Sequence, residues 1–137
     1  MTKKSGLKKA IYPGTFDPVT NGHLSLMERA CYLFDELVVA VATNVTKSPM
    51  FDYKERFEMV GTAIKENKFA CPIKVIGFDG LLAELAKNEK AVAIIRGLRA
   101  LTDFEFEFQM ALMNRKLAKD VETVFLMPSL SWVYLSS

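Results

Sequence analysis

No apolar run in this 137-residue sequence reaches the ~18 residues of a membrane-spanning helix. The opening MTKKSGLKK has no apolar stretch behind its lysines, which argues against a secretory leader. Only two cysteines are present, Cys31 and Cys71, far apart and without CxxC spacing. Each is read as a buried thiol, so the expected compartment is a reducing cytoplasm. A basic surface is missing too, despite a pI of 8.5. Of 18 basic side chains, four are Lys3, Lys4, Lys8 and Lys9; the other 14 face 16 acidic groups, leaving the body at net −2. That argues against nucleic acid as a partner. Repeats, linkers and low-complexity stretches are absent, and the length suits one domain, 1–137.

Familiar catalytic and phosphate signatures are lacking as well. There is no GxxxxGK[ST], so the chain is not a P-loop enzyme, and no GxGxxG follows the first apolar run. GxSxG is absent, and neither cysteine has a histidine beside it, so no nucleophile stands out.

What is present is a regular alternation of apolar runs and amphipathic stretches. Strands are predicted at about 8–12, 37–43, 73–77, 91–96 and 122–127. Helices are predicted at 22–34, from Asp52 onward, at 81–88, and from Thr102 to about Ala118. LVVAVAT (37–43) and AVAIIR (91–96) are continuous apolar runs, the mark of strands buried on both faces. Leu24, Met27, Cys31 and Phe34 make the stripe of the first helix; Phe57, Val60 and Ile64 make that of the second. Asp52 with Glu55, and Thr102 with Glu105, have capping-box spacing. Helical crossovers between strands require parallel pairing. The expected fold is a Rossmann-like α/β domain, an open parallel five-stranded sheet with helices on both faces.

DFEFEFQ (103–109) alternates like a strand, but the cap before it and MALMNRKLAK after it favour a helix. That helix is apolar over so much of its girth that it has to bury two faces. One covers the sheet, and the other calls for a neighbouring subunit.

Ligands of open parallel sheets bind beyond the carboxyl ends of the strands. The segments there are PGTFDPVTNGH, NVTKSPMF, FDG, RGLR and PSLSWVYLSS. They gather glycines, hydroxyls, Lys47, Arg96, Arg99 and the only histidine, His23, into a rim suited to phosphates. TNGH (20–23) sets His23 on the first turn of a helix, where amides are open and the dipole end is positive. Gly22 lets a ligand approach the backbone. An imidazole there can donate to a phosphoryl oxygen as charge develops. A phosphorylated acceptor, largely ionised at neutral pH, would need no protein nucleophile.

YPGTFDPVTNGH, TKSPMF, IIRGLRALTDFEFE and FLMPS with its following Trp132 closely resemble the bacterial phosphopantetheine adenylyltransferase family, nucleotidyltransferases marked by a [TH]xGH motif. The resemblance runs from about Ala10 to the end. It implies transfer of the adenylyl group of ATP to 4′-phosphopantetheine, giving dephospho-coenzyme A and pyrophosphate, with Mg2+ and in a homo-oligomer, a hexamer in that family. It further implies His23, Lys47 and Arg99 as catalytic residues. ATP would meet Thr15, Phe16, His23, Gly97, Leu98, Arg99 and Glu107, with Trp132, Val133, Tyr134, Leu135, Ser136 and Ser137 closing over it. The acceptor would meet Thr15, Lys47, Leu82 and Arg96. No protein metal ligands stand out; the magnesium is expected on ATP phosphates and water.

Bland readings stand beside these roles. Lys47 alone would be a loop charge, Glu107 a partner for Arg115 or Lys116, and Trp132 a core residue. Position 106 is Phe where that family often has Tyr. The family also continues into one or two further helices where this sequence stops at Ser137, so a chain ending there is expected to bind ATP weakly. Comparing ATP affinities with and without the next helix tests that expectation, and equal affinities refute it. Two other functions remain open: adenylyl transfer to a different phosphorylated acceptor, such as nicotinamide or nicotinate mononucleotide, and nucleotide binding without catalysis.

Overall fold

The structure, a computed structural model, describes residues 6–45, 48–98 and 101–128, with the side chains of 101–103 excepted. The element order is β1 (Lys9–Gly14), α1 (Asn21–Leu33), β2 (Glu36–Ala42), α2 (Tyr53–Lys65), β3 (Ile73–Phe78), α3 (Leu82–Asn88), β4 (Ala93–Gly97), α4 (Leu101–Leu117) and β5 (Glu122–Leu126). All strand pairs are parallel, and the sheet order is β3-β2-β1-β4-β5. The Rossmann-like expectation is met. Strand order reverses between β1 and β4, so the loops leaving those two strands diverge and open a crevice.

The continuous apolar runs work as the alternation of side chains in a strand requires. Ile11, Val38, Ala40 and Ile94 point to one face, where Ala83 and Ala86 of α3, with Ala118 and Val121, cover them. Ala10, Tyr12, Leu37, Val39, Val41, Ala93 and Ile95 point to the other, under Met27 and Ala30 of α1 and Val60 of α2. Full burial of side chains such as Ile11 and Met27 contributes about 1.5–3 kcal/mol each.

Several boundaries move. β1 extends through Pro13 to Gly14, with Pro13 opposite Ala40. β4 begins at Ala93 rather than residue 91. The buried stripe of α1 is Ser25, Leu26, Met27, Ala30 and Cys31, while Leu24 and Phe34 pack only partly. The Asp52–Glu55 capping box forms as its spacing predicts, Glu55 N–H donating to Asp52 Oδ1 at 2.8 Å and Asp52 N–H to Glu55 Oε1 at 3.1 Å. The Thr102 cap lies outside the described side chains.

One expectation is overturned. Cys31 and Cys71 are not separate thiols: they form a disulfide with Cα atoms 5.0 Å apart, joining the end of α1 to the segment before β3. Sequence distance concealed the pair, because the crossover through β2 and α2 brings residues 40 apart side by side.

The ambiguous segment 103–109 is helical, within α4. Phe104, Phe106, Phe108, Met110, Leu112, Met113 and Leu117 are all exposed, Phe106 at 64%. The sheet covers less of this helix than expected; among its described side chains only Asn114 is buried. No helix among the described residues is long and apolar enough to cross a membrane.

Candidate active site

A cavity of about 430 Å3 opens at the strand-order reversal. Phe16, His23, Arg96, Gly97, Leu98 and Glu107 line it, six of the residues singled out by sequence. Tyr12, Thr20 and Leu26 line it too and were not singled out, and so does Phe106, named by sequence only as a departure from the family pattern. Gly97 leaves room for Leu26: a Cβ built on it would stand 2.6 Å from Leu26 Cδ1, so a larger residue would have to push that methyl aside. The bare backbone lets α1 lie against the end of β4 and brings His23 and Arg96 to one hollow.

His23 sits on α1 as the third helical residue, and Thr20 is the cap. His23 N–H donates to Thr20 Oγ1 at 3.3 Å, and Thr20 N–H donates to His23 Nδ1 at 2.9 Å. This is a capping box with imidazole where Glu or Gln normally stands. The amide of His23 is therefore taken, as is that of Leu24, which donates to the Thr20 carbonyl at 3.1 Å. The picture of an imidazole among wholly open amides is corrected to that extent. The chemical gain is a fixed tautomer: Nδ1 accepts, so the neutral ring carries its proton on Nε2. Phe16 packs edge-on against the imidazole with ring centroids 4.9 Å apart, and against Tyr12 at 5.4 Å.

Arg96 and Glu107 meet in a two-point pair, Nε to Oε1 at 2.9 Å and Nη2 to Oε2 at 2.8 Å. Its other amino group approaches the Pro13 carbonyl at 3.5 Å. The Glu107 hydrogen bonds raise the Arg96 pKa, against the opposing effect of burial. Glu107 thus partners Arg96, whereas Arg115 pairs with Glu122. Burial raises the Tyr12 phenol above its ordinary range, while the nearby Arg96 charge pulls the other way.

Thr15 is exposed beside the cavity, its carbonyl held by Arg56 Nη1 at 2.9 Å. Leu82 stands apart: it begins α3 and packs on the Ile11 cluster, away from the His23 hollow. Lys47, Arg99 and Trp132–Ser137 lie outside the described residues. Among the described residues, no group of three or more His, Cys, Asp and Glu could hold a metal ion.

The family described as cytidylyltransferase-like matches residues 11–137. The chain is 48% identical over 136 residues to phosphopantetheine adenylyltransferase of Desulfotalea psychrophila, covering 99% of this chain and 79% of that protein. It is 53% identical over 131 residues to the protein of the same name from Thermodesulfovibrio yellowstonii, covering 95% and 80%. In fold it is similar to nicotinic acid mononucleotide adenylyltransferase of Plasmodium falciparum, with a TM-score of 0.64, 17% identity, and coverage of 95% of this chain and 79% of that one.

Proposed function

Because this chain belongs to the cytidylyltransferase-like family, among its phosphopantetheine adenylyltransferases, we propose that it transfers the adenylyl group of ATP to 4′-phosphopantetheine. The products are dephospho-coenzyme A and pyrophosphate, a step of coenzyme A synthesis. The observation that carries this reading is identity near one half over almost the whole chain.

An oxygen of the acceptor phosphate attacks the α-phosphorus of ATP. The bond from that phosphorus to the β-bridging oxygen breaks, and pyrophosphate leaves. The acceptor is already ionised, so no base is needed, and the protein aligns and neutralises. His23 offers Nε2–H to the phosphoryl oxygens, with Thr20 fixing the ring. Arg96 serves the acceptor side, oriented by Glu107. Gly97 and Leu98 present backbone to the nucleotide. Thr15 and Leu82 on the acceptor, Lys47 aligning the attacking phosphate, Arg99 and the 132–137 segment on ATP are roles carried by the resemblance. Mg2+ is likewise carried by the resemblance, and it would be held mainly by triphosphate oxygens and water. When bound, it offsets triphosphate charge.

The exposed apolar side chains of α4 support self-association, and the resemblance makes the assembly a hexamer. Cytoplasmic location rests on the coenzyme A pathway; with Cys31 and Cys71 paired, the cysteines no longer argue for it.

Pyrophosphate release with ATP, magnesium and each of several acceptors tests the function. Release with 4′-phosphopantetheine and not with nicotinate or nicotinamide mononucleotide is the expected result. Release only with a mononucleotide reassigns the acceptor, and ATP binding without release from any acceptor makes the chain a binding module.

A further inference from the structure

Phe16 is a bulky residue at φ 52°, in the left-handed region. Such a backbone is strained for a bulky residue and persists only where its surroundings over-determine it. The residues on either side of Phe16 supply that constraint. Before it, the Thr15 carbonyl accepts from Arg56 Nη1 at 2.9 Å. After it, the Asp17 carboxylate accepts from Met50 N–H at 2.6 Å and Phe51 N–H at 2.8 Å. The circuit closes through Phe51, whose carbonyl accepts from Arg56 Nε at 3.0 Å. Arg56 also donates to the Ala42 carbonyl at the end of β2, at 2.8 Å.

Arg56 is 1% exposed, and among the described residues it has no ion-pair partner. A buried guanidinium with no carboxylate is costly unless its donors are met. Here three carbonyls from three separate segments meet the donors of Nε and Nη1. An arginine in the first turn of a helix, placed only for stability, would more simply face water.

We propose that Asp17 and Arg56 are positioning residues: together they hold Phe16 in its left-handed conformation, and the Phe16 ring in turn sets His23 in the cavity. The part played in turnover rests on the adenylyl-transfer reading; the hold on His23 does not.

The sole histidine gives one assignable set of imidazole C–H resonances, so a two-dimensional NMR spectrum of the full chain reads its surroundings directly. In the wild type, the edge-on Phe16 ring shifts these signals away from unstructured values. Asp17→Ala is expected to move them back, with Asp17→Asn in between because it can still accept one amide hydrogen bond. Arg56→Lys is expected to act in the same direction. In steady-state assays kcat falls about 10–100-fold, in the range a misplacement near 1 Å can cause, with a smaller change in KM for ATP. If Arg56→Lys does not fold, the two Asp17 variants decide alone. Signals at wild-type positions in a folded Asp17→Ala protein overturn the proposal, whatever its melting temperature. So does wild-type kcat where the signals have moved. Should the wild type release no pyrophosphate with any acceptor, the function fails while the resonances still decide the clamp.

Discussion

Arg96 and Glu107 hold each other at two points across the mouth of the cavity, one from the end of β4 and one from α4. Neither side chain is fully exposed; Glu107 keeps 11% of its surface in water and Arg96 31%. The pair brings the charged end of a buried strand into register with a helix that otherwise touches little of the sheet. Glu107→Gln leaves one hydrogen bond and an uncompensated guanidinium. Denaturant unfolding is expected to register a loss of about 1–3 kcal/mol. Acceptor KM is expected to rise more than ATP KM, because Arg96 loses its orientation; equal KM values in variant and wild type would contradict this.

Tyr12 gives an alkaline signature. Its phenol is buried, and its folded-state pKa stands above the ordinary 10.0. The folded chain keeps a proton that the unfolded chain gives up from about pH 10. The associated stability is therefore fully present below that pH and is lost as pH rises beyond it. Tyr12→Phe removes the effect. Unfolding free energy measured from about pH 9 to about pH 11 is expected to fall less steeply in the variant, by up to about 1.4 kcal/mol per pH unit. Parallel curves would show that the phenol titrates freely.

The Cys31–Cys71 bond closes a loop spanning a sequence separation of 40. Removing such a constraint costs about 4 kcal/mol through the unfolded chain. Protein purified without reductant should take up no alkylating agent before reduction, by intact mass, and should unfold at lower denaturant when reduced. Cys31→Ser should match the reduced protein. Two alkylated cysteines in the unreduced native protein would contradict the pairing.

The sheet was legible in the sequence because β1, β2 and β4 are buried on both faces, and such strands must be written as near-continuous apolar runs. The Asp52–Glu55 cap was legible because it is local. The Thr20–His23 cap is just as local, yet it escaped because the third helical residue is imidazole rather than Glu or Gln. Arg56 escaped for a different reason: a charge inside a helix ordinarily faces solvent, and only tertiary structure brings the Thr15, Ala42 and Phe51 carbonyls to it. The Arg96–Glu107 pair escaped for the same cause: the bland reading set Glu107 beside Arg115 or Lys116 of its own helix, while the fold brings Arg96 to it from β4. Leu82, placed on the acceptor by resemblance, follows a different strand from the residues that ring His23.

His23→Ala tests the central claim most directly. With ATP, magnesium and 4′-phosphopantetheine, its kcat is expected to fall by about 10²–10³, the effect of removing one donor aimed at developing charge. ATP affinity by calorimetry should change by less than about tenfold. A variant that turns over at the wild-type rate would contradict the account, because the imidazole would then have no part in the chemistry.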